Sequence, residues 1–162
     1  MKILSSALLV IVALSIAGCA TTTSNNNQFS AAATESRIEP TEQEIASLFD
    51  RWNQSLQSGD PQKVVANYAE QSILLPTFSN KPRLTPEEKV DYFRHFLETQ
   101  PSGEINMRQI QIGSDMAVDT GLYTFYFAKT GDQVRARYSF TYRRYGKQWL
   151  IVSHHSSAMP EK

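Results

Sequence analysis

The tightest constraint on this chain lies in its C-terminal part. From residue 105 to about 157, four strand-like runs are separated only by Gly113-Ser114-Asp115, Thr130-Gly131-Asp132 and Gly146-Lys147. Turns of two or three residues leave no room for a crossover, so successive runs must pair as an antiparallel meander. The runs are 105–112, 116–129, 133–145 and 148–157. In the first, Ile105, Met107, Gln109 and Gln111 alternate with Asn106, Arg108, Ile110 and Ile112.

Ahead of the meander the spacing predicts three helices. Thr41-Glu42-Gln43-Glu44 reads as a capping box, with Thr41 as N-cap and Glu44 returning the hydrogen bond. Ile45, Leu48, Phe49, Trp52 and Leu56 follow at helical spacing, and Ser58-Gly59 ends the run. Asp60-Pro61 opens a short second helix with proline at its first position and Val64, Val65 and Tyr68 on its apolar side. A short strand at 72–75 stops at Pro76, and 76–84 reads as a loop. Thr85-Pro86-Glu87-Glu88 is a second capping box, leading a helix whose stripe is Val90, Phe93, Phe96 and Leu97; Pro101-Ser102-Gly103 ends it. The expected architecture is α+β, with helices on one face of an antiparallel sheet. The stretch 122–127 is apolar on both parities, with Tyr123, Phe125 and Phe127 on one and Leu122 and Tyr126 on the other. A sheet with one watered face should alternate cleanly. The second face is therefore expected to meet another copy of the sheet, as a homodimer.

The N-terminus predicts export. Lys2 precedes an apolar run from Ile3 to Ala17, broken only by serines and shorter than the roughly 20 residues of a bilayer span. Ile16-Ala17-Gly18 precede Cys19, the sole cysteine. This resembles the lipobox of bacterial lipoproteins. It implies a signal peptide over 1–18 and lipidation of Cys19, so that the membrane is met through the lipid anchor only. Ala20 after the cysteine, rather than an acid, implies by the same resemblance an outer-membrane location facing the periplasm. Residues 19–40 are polar and of low complexity and read as a lipidated tether, leaving 41–160 as the folded domain.

The whole chain carries 16 basic and 16 acidic residues; loss of 1–18 removes Lys2 alone, leaving 15 against 16. Such a balance excludes the basic footprint of a nucleic-acid binder. There is no glycine-rich phosphate loop and no Gly-x-Ser-x-Gly. Three scattered histidines without a second cysteine make no metal motif, and no cofactor is expected.

Residues 136–143 (Ala-Arg-Tyr-Ser-Phe-Thr-Tyr-Arg), 146–152 (Gly-Lys-Gln-Trp-Leu-Ile-Val) and His154-His155-Ser156-Ser157-Ala158-Met159-Pro160 resemble the nuclear-transport-factor-2-like superfamily. Within it they are similar to bacterial single-domain relatives of the calcium/calmodulin-dependent protein kinase II association domain. The resemblance implies a cone: a curved antiparallel sheet wrapped around three N-terminal helices, with a pocket at its open end and dimerisation through the sheet's outer face. It also implies that the polar face of 133–145 turns inward near the mouth. Arg137 would then clamp a carboxylate with its two-pronged guanidinium, or else either pair with an acid or lie at a solvated sheet end.

Around Arg137, the matching parity supplies Tyr123, His154 and Ser156 as ligand-binding candidates. Trp52 is either plain core or a pocket wall. His154 and His155 must face opposite sides of their strand, and each alone also reads as a structural histidine. Asp119 and Tyr123 share a face, the pairing by which some superfamily members stabilise an enolate; Asp119 and His154 are thus weak catalytic candidates, although an Asp near a strand end is commonly solvated. Two functions are consistent with this pattern. One is a tethered dimeric module that binds a small acidic or amphipathic organic ligand, or serves assembly. The other is a small isomerase or dehydratase using a pocket acid or base.

Overall fold

Helix α1 (Glu42–Gln57) starts where Thr41 Oγ1 accepts the Glu44 amide at 3.1 Å. The expected capping box is half formed, because the Glu44 carboxylate instead accepts the Trp149 indole N–H at 3.1 Å. The five predicted apolar positions of this helix are its buried residues. Asp60 caps α2 (Pro61–Val65). Tyr68, expected on that helix, opens strand β1 (Tyr68–Leu75). Helix α3 (Pro86–Leu97) has the complete Thr85–Glu88 capping box. The meander comes next, as β2 (Pro101–Ile112), β3 (Met116–Phe127), β4 (Gln133–Tyr145) and β5 (Gln148–Ala158). This computed structural model describes residues 39–160. The signal 1–18, Cys19 and the tether up to residue 38 lie outside the described residues.

The sheet order is β1-β5-β4-β3-β2. The sheet is mixed rather than antiparallel: β1 runs parallel to β5, with Leu74 opposite His154. α3 and three strands separate β1 from β5 along the chain, so no hairpin forces the pair antiparallel. The sheet is also not strongly curled, and in place of the expected cone it presents one face to the helices. Its bends are local bulges, each of which adds a residue to one strand and turns the rest of that strand to a new aim. One lies between Ile105 and Met107. It overturns the simple alternation expected of β2, since Ile105 now shares a face with Arg108, Ile110 and Ile112. Here Gly121 is obligatory: a Cβ on it would stand 1.9 Å from the Met107 carbonyl oxygen. Another, opposite Thr141 and Tyr142, lets Trp149, Ile151, His154 and Ser156 all point inward, and a third register shift lies in β1 between Tyr68 and Ile73.

The core lies between this face and the α1 and α3 stripes, and is strongly aromatic: Phe49, Trp52, Phe93, Tyr123, Phe125, Tyr138, Phe140 and Tyr142 are buried together. Lys89 is buried as well. Its ammonium donates to the carbonyls of Ser72 at 2.8 Å and Leu84 at 3.0 Å, which ties the start of α3 to β1. Burial lowers its pKa, against the pull of Glu88 and Glu87.

Candidate functional site

An apolar pocket opens where the end of β1, the loop behind it and α3 meet the inner faces of β3, β4 and β5. Phe93, Phe96, Phe125, Phe127 and Leu74 make most of its wall, and Pro76 and Phe78 lie at the loop side. The cavity is about 20 Å³, space for little more than one or two water molecules. The loop is pinned at its base by paired backbone hydrogen bonds between Leu74 and Arg83, at 3.0 and 2.9 Å.

Two polar chains enter this apolar surround. In the first, the Trp52 indole N–H donates to the Tyr68 hydroxyl at 3.2 Å, and that hydroxyl lies 2.8 Å from His154 Nδ1. The His154 ring stacks on Phe140 with centroids 4.0 Å apart. Burial, and secondarily the charge of His155, push the His154 pKa down to about 3, so the imidazole is neutral at neutral pH. In the second, the Tyr123 hydroxyl donates to Ser156 Oγ at 2.5 Å, and Ser156 is in turn hydrogen-bonded to Thr77 Oγ1 on the loop. Burial raises the pKa of both Tyr68 and Tyr123, which keeps them protonated. Trp52, Thr77, Tyr123, His154 and Ser156 all line the cavity, and no charged side chain is among the described residues that do.

Four of the five expected ligand contacts thus come together: Trp52, Tyr123, His154 and Ser156. Trp52 is at once core and pocket wall. Of the two adjacent histidines, His154 is 3% exposed and faces the core, while His155 is on the outer side.

Arg137 is a correction. It is exposed, paired across the strands with Leu122 and Ser157 on the outer face. Its strand turns Ala136, Tyr138, Phe140 and Tyr142 inward. Burying three aromatic rings is worth about 2 kcal/mol apiece, whereas an unpaired guanidinium in that place would cost several. The apolar parity wins.

Asp119 is a second correction. It is completely buried rather than solvated, and its partner is not Tyr123. Arg108 Nε lies 3.2 and 3.1 Å from its two oxygens, and the Tyr138 hydroxyl donates to Oδ1 at 2.8 Å. The guanidinium also sits 5.7 Å over the Phe49 ring. Burial raises the Asp119 pKa, with the Tyr138 hydrogen bond and the Arg108 charge opposing it. A carboxylate held by a counter-charge and lying outside the cavity lining is a structural pair, so the acid-and-tyrosine arrangement for an enolate is not formed. Among the described residues no three of His, Cys, Asp and Glu converge as metal ligands.

The sequence reading missed Thr77 in the pocket lining and Tyr68 behind His154, and it missed the structural roles of Arg108 and Lys89. Thr77 carried a faint signal, as the first polar residue after the proline that ends β1. Tyr68 carried none, because its neighbours suit a helix equally well.

The pattern of the calcium/calmodulin dependent protein kinase II association domain matches residues 41–160. Among solved structures, a protein from Xanthomonas campestris described as such an association domain is 45% identical. The alignment covers 76% of this chain and 91% of that one, with a TM-score of 0.73. A nuclear-transport-factor-2-like protein of unknown function from Pseudomonas putida is 20% identical over 74% of this chain and 87% of its own, with a TM-score of 0.65. The iota-carbonic anhydrase of a cyanobacterium, solved with bicarbonate, is 17% identical over 76% and 95%, with a TM-score of 0.68. At those two lower identities the likeness is one of fold. No curated protein matches the chain.

Proposed function

Because the chain belongs to the calcium/calmodulin-dependent protein kinase II association domain family, with the nuclear-transport-factor-2-like fold, we propose that its work is done in the apolar pocket, as a binding site for a small planar oxyanion of bicarbonate or short-carboxylate size. The observation that carries this reading is the cavity itself. An aromatic wall surrounds the hydroxyls of Ser156 and Thr77 and the imidazole of His154, with no fixed charge among the described lining residues. Neutral hydrogen-bonding groups in a water-poor site stabilise an anion by aimed dipoles, where a buried arginine would demand a permanent partner. The small volume excludes steroid-sized or lipid-sized ligands unless the loop moves.

A second reading, interconversion of CO2 and bicarbonate, is favoured by the Tyr123–Ser156–Thr77 chain. CO2 is apolar and suits the aromatic wall. As water adds to its carbon, one proton must leave, and the hydroxyl chain runs from the interior to the loop. The described lining offers no carboxylate for a stronger base. The bicarbonate found in the fold-related carbonic anhydrase supports the choice of probe.

The setting we propose is a lipoprotein anchored at Cys19 in the outer membrane and facing the periplasm, on the strength of Ile16-Ala17-Gly18-Cys19. It would dimerise through the outer sheet face, where Leu122 and Tyr126 are half-buried and Met107 is 52% exposed. Cys19→Ser should leave an unlipidated precursor; mature, membrane-retained Cys19→Ser protein would refute the anchor.

The pocket reading is tested by titrating the full chain with 13C-bicarbonate and by measuring 18O exchange between CO2 and water. Saturable binding that weakens in Ser156→Ala supports the site, and exchange above background adds the reaction. Binding that Ser156→Ala leaves untouched would place the ligand elsewhere.

A further inference from the structure

The Trp52–Tyr68–His154 chain determines which nitrogen of the imidazole carries its proton. An indole N–H can only donate, so the Tyr68 oxygen accepts from Trp52. That leaves the single Tyr68 proton to be placed. Tyr68 is 6% exposed, and the remaining partner that the structure gives its hydroxyl is His154 Nδ1, at 2.8 Å. If Nδ1 also carried a proton, Tyr68 would accept twice. Its own buried O–H would then be unpaired, and so would the lone pair on Nε2. If Nδ1 accepts instead, every group in the chain is satisfied except one, the Nε2–H. Buried polar groups are nearly always paired, so the arrangement with one orphan prevails over the arrangement with two. Nε2 is indeed the buried atom of this ring without a partner among the described residues, and the ring lines the cavity.

We infer that Tyr68 is a positioning residue: held by the Trp52 indole, it donates to His154 Nδ1 and fixes the imidazole as the Nε2–H tautomer, so that His154 meets the ligand as a hydrogen-bond donor and not as a base. The donor role rests on the oxyanion reading above; the tautomer does not. Stacking on Phe140 and the edge contact with Trp52, centroids 5.3 Å apart, hold the ring plane, so the N–H is aimed before any ligand arrives. The site thereby selects ligands that accept hydrogen bonds at that point. It disfavours those that must be deprotonated there, which argues against a His154-driven isomerase.

The test is 15N NMR on the full chain with labelled histidine, with the His154 signals assigned by their loss in His154→Gln. Wild type should show a protonated Nε2 and a bare Nδ1 at neutral pH without any ligand. Tyr68→Phe should move His154 to a tautomer mixture while His95 and His155 stay unchanged, and should weaken bicarbonate binding on the order of tenfold. A protonated Nδ1 in wild type, or an unaltered tautomer in Tyr68→Phe, overturns the inference. The wild-type spectrum decides it if that variant does not fold. If the tautomer is as stated but saturating bicarbonate leaves the Nε2 shift unmoved, the positioning role of Tyr68 toward the imidazole stands and the oxyanion reading falls.

Discussion

Removing Asp119 should be among the most damaging single changes in the domain. Its side chain is 0% exposed and its partner Arg108 only 22% exposed. Asp119→Leu leaves a largely buried guanidinium without its counter-ion and deprives the Tyr138 hydroxyl of its acceptor, and Arg108→Met alone leaves the buried carboxylate without its counter-charge. Breaking a buried pair from one side costs about 3–5 kcal/mol. Since Arg108 keeps some contact with solvent, the lower end applies, about 3 kcal/mol, against a total stability of roughly 5–15 kcal/mol for a domain. Replacing the pair as a whole has a different outcome. Arg108→Met with Asp119→Leu keeps the volume and removes both charges, and such exchanges are commonly neutral or stabilising. The double variant still leaves the buried Tyr138 hydroxyl without its acceptor, so it should lie about 1–3 kcal/mol below wild type rather than at the sum of the single losses, giving a coupling energy of a few kcal/mol in the double-mutant cycle. Urea unfolding, followed by circular dichroism and by the fluorescence of buried Trp52 and Trp149, measures all four proteins. If the double variant loses the sum of the two single losses, the pair is not the coupled structural unit described here, and a functional role for Asp119 regains force.

His154 makes stability depend on pH. Its folded pKa of about 3 lies below the ordinary 6.5, so the unfolded chain binds the proton more readily. The contribution is complete above about pH 6.5 and falls by about 1.4 kcal/mol per pH unit down to about pH 3; His154→Gln should flatten that slope in thermal melts taken across the range, and an unchanged slope would contradict it. Gly121→Ala forces a Cβ into the Met107 carbonyl and should cost at least about 2 kcal/mol, read as a lowered urea midpoint, because the obstacle is backbone and cannot rotate away. Dimerisation through the outer face should bury on the order of 1,200–2,000 Å², so light scattering should report a dimer that Leu122→Glu dissociates; a wild-type monomer at high micromolar concentration would refute the interface.

Local chemistry was legible in the sequence wherever a few neighbouring residues decide the outcome. Thr41, Asp60 and Thr85 cap helices as their side chains predict, and the three short turns between 113 and 147 give the strand limits to within a few residues. The features that could not be read depend on partners far along the chain. The bulge after Ile105 is seen only against Gly121, and the Asp119 pair only once β2 lies beside β3, with Arg108 opposite Gly121 and diagonal to Asp119. The inward face of β4 was readable in principle: Ala136, Tyr138, Phe140 and Tyr142 form an apolar parity that burial must favour. Expecting the Arg137 parity inside meant setting a family likeness above that physics. Tyr123, His154 and Ser156 nonetheless lie together on the inner face, because their own strands carry them inward while Arg137 points out.

The most direct test of the pocket is a crystal structure of the protein soaked in bicarbonate. A planar oxyanion should lie between the aromatic wall and β5, within hydrogen-bond distance of His154 Nε2 and of the Ser156 or Thr77 hydroxyl, and should be lost in Ser156→Ala crystals. Bicarbonate bound on the outer face at Arg137, or a pocket that stays closed to it at saturating concentration, would contradict the account.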